Sequence, residues 1–293
     1  MPGLIRVSVI SEVIPVLTKF RENRMAMLGG LFLLFLMFIA IFADLIAPYD
    51  PRAIDLLHTY APPSGEHLLG TDALGRDVLS RLIYGTRISL SIGFSATLFT
   101  VLLGTLLGSL AGYFGGKLDQ VIMRAADLTL NFPFILLVLT LMAILEEINL
   151  FAFVVIIALT SWPGMTRIIR GLCLRLREQE FILAAKALGS SPSQIMLKHF
   201  LPNLLFPIIT QASLTMATMI MIESGLSFLG FGVAEPTPTW GNMIHEAQSM
   251  LVLKQYPHLW IPPGLAILCT VLAIHFIGDG LRQATDPRFM GKG

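Results

Sequence analysis

Charged side chains make up only 13% of this chain, and its two cysteines have no evident partners; each scarcity removes a class of protein. With 55% hydrophobic residues over 293 positions and a mean hydropathy of +0.75, too few ionisable groups remain to solvate a water-soluble domain. The chain therefore reads as an all-α polytopic membrane protein. Its net charge is +1, and no basic run is long enough to hold a phosphate backbone, which argues against a nucleic-acid partner. Cys173 and Cys269 lie in unrelated segments, so neither a disulfide nor a metal framework is implied. The amino terminus lacks a short apolar core followed by a small-residue cleavage site, and its first apolar run is expected to be an uncleaved span.

Catalytic motifs are also missing. His245-Glu246 is followed by Ala247, Gln248 and Ser249, without the second histidine of a zinc-protease helix. Gly225-Leu226-Ser227-Phe228-Leu229-Gly230 is one residue too long for a nucleophile elbow. There is no Walker loop. The chain is therefore not expected to be an enzyme or to bind a cofactor or metal of its own, and any ATP would sit on another chain.

What is present is a succession of apolar runs. Met25 to Ala43 carries no charge across 19 residues, enough to cross a hydrocarbon core of roughly 30 Å. Pro48, Pro51, Pro62 and Pro63 then punctuate a loop, which predicts extended chain rather than a domain. Within Leu69 to Leu90, Leu74, Val78, Leu79, Leu82 and Ile83 recur at helical spacing while Arg76, Asp77, Ser80 and Arg81 fall elsewhere. That pattern predicts an amphipathic helix lying at the membrane surface. The next runs are Ile88 to Gly116, Leu128 to Leu145, Ile148 to Thr166, Leu201 to Ile222 and Leu259 to Gly278, giving six spans. Glu146 and Glu147 mark a short hairpin between the third and fourth. Gly104, Gly108 and Gly112 repeat every four residues in the second span, as helices that approach closely in lipid require.

Glu180 to Asn203 is a polar island among these runs. Ala184, Ala185 and Leu188 give a helical stripe, and Gly189 follows where a helix commonly stops in the left-handed conformation. Ser191 is a good N-cap, Pro192 suits the first helical position, and Gln194 completes a capping box. Pro202 should end the second helix at Leu201. The prediction is a rigid knob of two short helices joined by a tight bend.

This stretch resembles the EAA loop of ABC importer permeases, the pattern falling on Leu183, Ala184, Ala185, Gly189, His199, Leu201 and Pro202. Two residue types depart from it: Leu183 stands for the motif glutamate and His199 for the isoleucine. The His199 to Asn203 string is similar to the subfamily that imports dipeptides, oligopeptides and nickel. So are Gly70-Thr71-Asp72 with Gly75-Arg76-Asp77, the Pro236 to Met243 loop, and the tail from Gly278 to Arg282 with Asp286-Pro287-Arg288. The Gly70 to Asp77 segment is very similar to the C-type permease subunit of these importers. The resemblance implies a type I permease fold and a knob, with Glu180, Ala184, Ala185, Gly189, His199, Leu201, Pro202 and Asn203 on the surface coupled to a cytosolic ATPase. It also implies a second homologous permease, two ATPases carrying ATP and magnesium, an external solute-binding protein, and alternating access for peptides, nickel chelates or glutathione-like solutes. The organisation expected is a tail over 1–24, a first span over 25–47, an external loop over 48–86, a core over 87–281 with the coupling loop at 175–203, and a tail over 282–293.

Fifteen of the 20 Lys and Arg fall in the amino tail, the loop after the second span, the knob region and the carboxyl tail, which places those segments in the cytoplasm. Ionisable groups inside apolar runs are costly unless paired or wet. Asp127 lies three residues after Arg124 and is expected to pair with it, with Asn131 beyond as a pathway candidate. Glu223 has no charged neighbour in sequence; it is either a buried structural hydrogen-bonding group or a pathway-lining residue. His275 is expected to be a neutral, hydrogen-bonded packing residue. Trp240 is either a gate at the outer mouth or an interfacial anchor. The rival to an importer subunit is an ion-coupled transporter or channel acting alone, which would need midplane carboxylates or broken helices.

Overall fold

The computed structural model describes residues 18–145 and 149–285; the Glu146–Glu147 hairpin and the tail beyond 285 lie outside them. Asn23 caps the first helix, α1 (Arg24–Ile41), by accepting from the Ala26 amide at 3.1 Å. A single turn, α2 (Ala43–Ile46), follows. Only Ala26, Gly29 and Leu36 of α1 are buried, so most of its leucines and phenylalanines face outward, as lipid contact requires. Gly29 lies against the backbone of Ala273 in the last described helix, α12 (Pro257–Thr285), which follows the short α11 (Met250–Gln255).

The predicted surface helix and second span are one element. Asp77 caps α3 (Val78–Phe114) through the Ser80 amide at 2.7 Å, and the helix runs unbroken for 37 residues. At 1.5 Å per residue that is about 55 Å, well beyond the hydrocarbon thickness. Arg76, Asp77, Ser80 and Arg81, expected on a water-facing side, are all buried. The segment from 47 to 77 is folded rather than extended. The Asp55 amide donates to the Leu74 carbonyl, the Tyr60 amide to that of Asp72, and Thr71 pairs with Asp77 in a lone bridge.

The glycine stripe packs as its spacing predicts. Gly104 faces Met165, Gly108 faces Thr166 and Ile169, and Gly112 faces Arg170 and Cys173, all on α6 (Leu150–Arg177). The third apolar run is broken. Helices α4 (Gly116–Asn131) and α5 (Phe134–Ala143) meet at 89° across Phe132 and Pro133, because the proline holds Phe132 extended at φ −85° and ψ 137°. Among the described residues five helices are long and apolar enough to cross a membrane, and the bent pair, taken together as one broken span, brings the count to six. Asp127 does not pair with Arg124; it accepts from Arg167 of α6 at 2.6 Å.

Candidate functional site

The knob begins with α7 (Glu180–Ala187). The Ser190 amide donates to Ala185 and the Gly189 amide to Lys186, each at 3.0 Å, with Gly189 at φ +80°. This doubly bonded C-terminal turn needs a positive φ, which glycine adopts without a Cβ penalty. After the bend the capping box forms as read: Ser191 Oγ accepts from the Gln194 amide and Gln194 Oε1 from the Ser191 amide. Ile182, Ile195, Phe200 and Leu204 bury themselves with Ile169 and Cys173, fastening both arms of the bend to the end of α6.

The second arm does not stop at Leu201. The helix α8 (Pro192–Ile195) passes through a π segment (Met196–Phe200) into α9 (Leu201–Phe228), one path of 37 residues. The π turn lets the Leu201 amide donate to Met196, so a wider ring accommodates Pro202, which has no amide proton to give. The knob is thus the bent root of a span. Glu180, Ala184, Gly189, Leu201 and Asn203 are exposed, His199 and Pro202 partly so, and Ala185 is buried. Asn203 Nδ2 donates to the His199 carbonyl at 2.7 Å, closing the π turn from its side.

Glu223 is buried completely inside the subunit. Its Oε1 accepts from Ser227 Oγ at 2.8 Å, and its Oε2 from Ser89 Oγ at 3.2 Å and Ser224 Oγ at 3.3 Å. Ser89 Oγ in turn accepts from the Trp240 amide at 3.1 Å, where α10 (Trp240–His245) begins under a Thr239–Asn242 capping box. One carboxyl therefore joins α3, α9 and α10. Trp240 is itself fully buried beside Leu36, Leu90, Ala217, Ile220 and Ile274, so its ring is neither at an exposed mouth nor at a lipid interface of this chain. Asn131, at the end of α4, is exposed. His275 lies on an exposed face of α12 rather than in the packed interior.

A further polar cluster escaped the sequence reading. Arg76 Nε meets Asp72 Oδ2 at 2.6 Å and Arg76 Nη1 meets Glu235 Oε2 at 2.6 Å, while Arg81 Nη2 lies 3.2 Å from Glu235 Oε1. Glu246 sits 3.5 Å from Arg76 Nη2, and burial pushes its carboxyl up to about 7. Buried charges persist only when paired and hydrogen-bonded, and here Asp72 from the same segment and Glu235 and Glu246 from about 160 residues further along the chain together face Arg76 and Arg81. The Gly-Thr-Asp and Gly-Arg-Asp strings were the available signal. Gly75, at φ +72°, lies so close to the Asp55 carbonyl that a Cβ would collide with it.

Comparison with known proteins agrees with this architecture. The model of the binding-protein-dependent transport system inner membrane component family matches residues 104–291, and that of the N-terminal TM domain of oligopeptide transport permease C matches residues 15–63. A putative peptide permease protein of Brucella suis is 41% identical over 92% of this chain and 89% of its own. The oligopeptide transport system permease protein OppC of Bacillus subtilis is 39% identical over 92% of this chain and 88% of its own. A glutathione transport system permease protein GsiD of Escherichia coli is 41% identical over 93% and 89%. An inward-facing structure of the MetNI methionine ABC transporter aligns over 71% of this chain and 98% of that chain, with a TM-score of 0.60 at 20% identity, a likeness of fold. This chain belongs to the family of binding-protein-dependent transport system inner membrane components, the permeases of ABC importers.

Proposed function

We propose that this chain is the C-type one of two permeases that together form the pathway of an importer for dipeptides or oligopeptides. Its termini and knob lie in the cytoplasm, two ATPases carrying ATP and magnesium close on nucleotide and push on the knobs, and an external binding protein delivers cargo. The observation that carries this reading is the knob as the bent root of α9. A displacement applied at the bend is transmitted along one helical path into the span and on to Glu223. The peptide cargo follows the names of the relatives, several of which are peptide permeases. Nickel chelates and glutathione-like solutes are the competing cargoes.

The lone-transporter reading is disfavoured by Glu223, the carboxyl deepest in a span. Three serine hydroxyls donate to it and no water-accessible surface reaches it, so it is poorly placed to take up and release a coupling ion. The test is reconstitution with a second permease, a pair of ATPases and a solute-binding protein from the same organism. ATP-dependent uptake of labelled di- and tetrapeptides, stimulated by the binding protein, is expected. Uptake by the chain alone, driven by an ion gradient, would overturn the reading; uptake of nickel or glutathione in place of peptides would reassign the cargo.

A further inference from the structure

The face by which the knob meets its ATPase has a chemistry of its own, and the inference drawn from it rests on the coupling role proposed above. We propose that the knob docks through an apolar surface centred on Leu183, so that the ATPase cleft receiving it is lined by apolar side chains rather than by cations.

On α7 the inward residues are Ile182 and Ala185, both buried against the subunit. The opposite face follows from helical spacing: Glu180, Leu183, Ala184 and Ala187 stand at positions i, i+3, i+4 and i+7, and all four are exposed. After the first of them this stripe carries no charge. Leu183 is 52% exposed, Leu188 at the bend 87% and Leu197 on the second arm 66%. Large apolar groups on a water-facing element signal an interaction surface when they are presented together rather than scattered. Here the bonded turn around Gly189 and the capping box at Ser191 fix the backbone of the bend that carries these exposed leucines.

The charges near the stripe sit at its edges. Glu180 lies in the first turn, where the positive end of the helix dipole favours a carboxylate. Lys186 is drawn over the ring of Tyr113, 5.4 Å from its centre, and so leans away toward the subunit. Lys198 follows Leu197 on the second arm. The centre of the face is Leu183, at the position where the family pattern has its glutamate. A glutamate there would require a cation opposite it in the cleft, whereas leucine would leave such a cation buried and unpaired. The alanines at 184 and 187 leave the helix backbone shallow, which suits insertion between two walls of side chains.

The test measures the dissociation constant of the purified cognate ATPase for the permease pair in lipid nanodiscs, at about 50 mM and about 500 mM NaCl, where screening of exposed ion pairs differs strongly. Apolar docking predicts a change of less than about twofold with salt. It also predicts weakening of about 10-fold or more for Leu183→Glu and for Leu188→Glu, with little change for Leu188→Met. Unaltered melting of each variant complex keeps a folding defect from imitating the result. Weakening of about tenfold in high salt, or normal binding by Leu183→Glu, overturns the proposal while leaving the ATPase as a partner. Absence of any binding by the wild-type pair overturns the coupling role itself. Quenching of Leu188→Trp fluorescence by brominated lipid, with the ATPase present, would show that the face rests on the membrane instead and would also overturn it.

Discussion

Replacing Gly108 by alanine tests the contact that sets the core of the bundle. A Cβ built at Gly108 would lie 2.6 Å from the Thr166 carbonyl oxygen, 2.8 Å from Ile169 Cβ and 3.1 Å from the Arg170 amide nitrogen. Ordinary contact begins near 3.4 Å, so α3 and α6 must separate by about 0.8 Å at this point. Two of these atoms are backbone, and no rotamer change relieves them. Overpacking of this kind costs about 1–3 kcal/mol. Gly112→Ala meets Cys173 Cβ at 2.5 Å and the Arg170 carbonyl at 2.9 Å on the same seam. Once the helices have parted the second methyl costs less, and the double variant should lose less than the sum of the single losses. Gly171→Ala is the control: nothing lies within 4 Å of its Cβ, and alanine gains up to about 1 kcal/mol of helix propensity. Thermal unfolding in detergent micelles should rank Gly171→Ala at or above wild type and Gly108→Ala clearly below. Equal melting of the Gly108 and Gly171 variants would refute the packing of α3 on α6.

Gly189→Val meets open space, so its cost is backbone strain alone at φ +80°, roughly 1 kcal/mol; the protein should insert and assemble yet fail to stimulate the ATPases, and normal stimulated hydrolysis would refute the rigid-knob account. Glu223→Gln keeps shape and an acceptor and should assemble and transport. Glu223→Leu strands three hydroxyl donors at about 1–3 kcal/mol for a buried unsatisfied group, so its folded complex should be lost on size-exclusion chromatography; altered transport with intact assembly in the Gln variant would return Glu223 to the pathway. Burial raises Glu246 from 4.5 to about 7, so its contribution to stability is present below the lower value and lost as pH rises through the upper one. Melting temperature should fall across that window and Glu246→Gln should flatten the fall; an identical slope in the variant refutes the assignment. Cysteine at the exposed Ser193 should label from the cytoplasm only and at the exposed Thr59 from outside only, and labelling of Ser193 in intact cells from outside overturns the orientation.

Features governed by near neighbours were legible in the sequence. The bend at Gly189, the capping box at Ser191 and the glycine stripe of α3 each depend on residues within a turn or two, or on a simple period. Features governed by distant partners were not. Asp127 has Arg124 one turn away, yet its partner Arg167 lies 40 residues on, because the bend at Pro133 brings α4 against α6. Arg76 and Arg81 looked like the wet side of an amphipathic helix, since Glu235 and Glu246 arrive only through folding. Pro202 marks a stop by a rule that holds for α geometry, and the π turn before it evades that rule.

The unbroken length of α3 makes it an indexed rod. Its first turns lock Arg81 into the ion cluster with Glu235, its middle offers Ser89 to Glu223, and its last turns seat Gly104, Gly108 and Gly112 on α6. Deleting one residue would rotate everything beyond it by about 100° and draw it back by 1.5 Å. No adjustment of side chains restores both ends at once. The spacing between the ion cluster at one end of α3 and the glycine seam at the other is therefore fixed to the residue, and α3 tolerates no insertion or deletion between them.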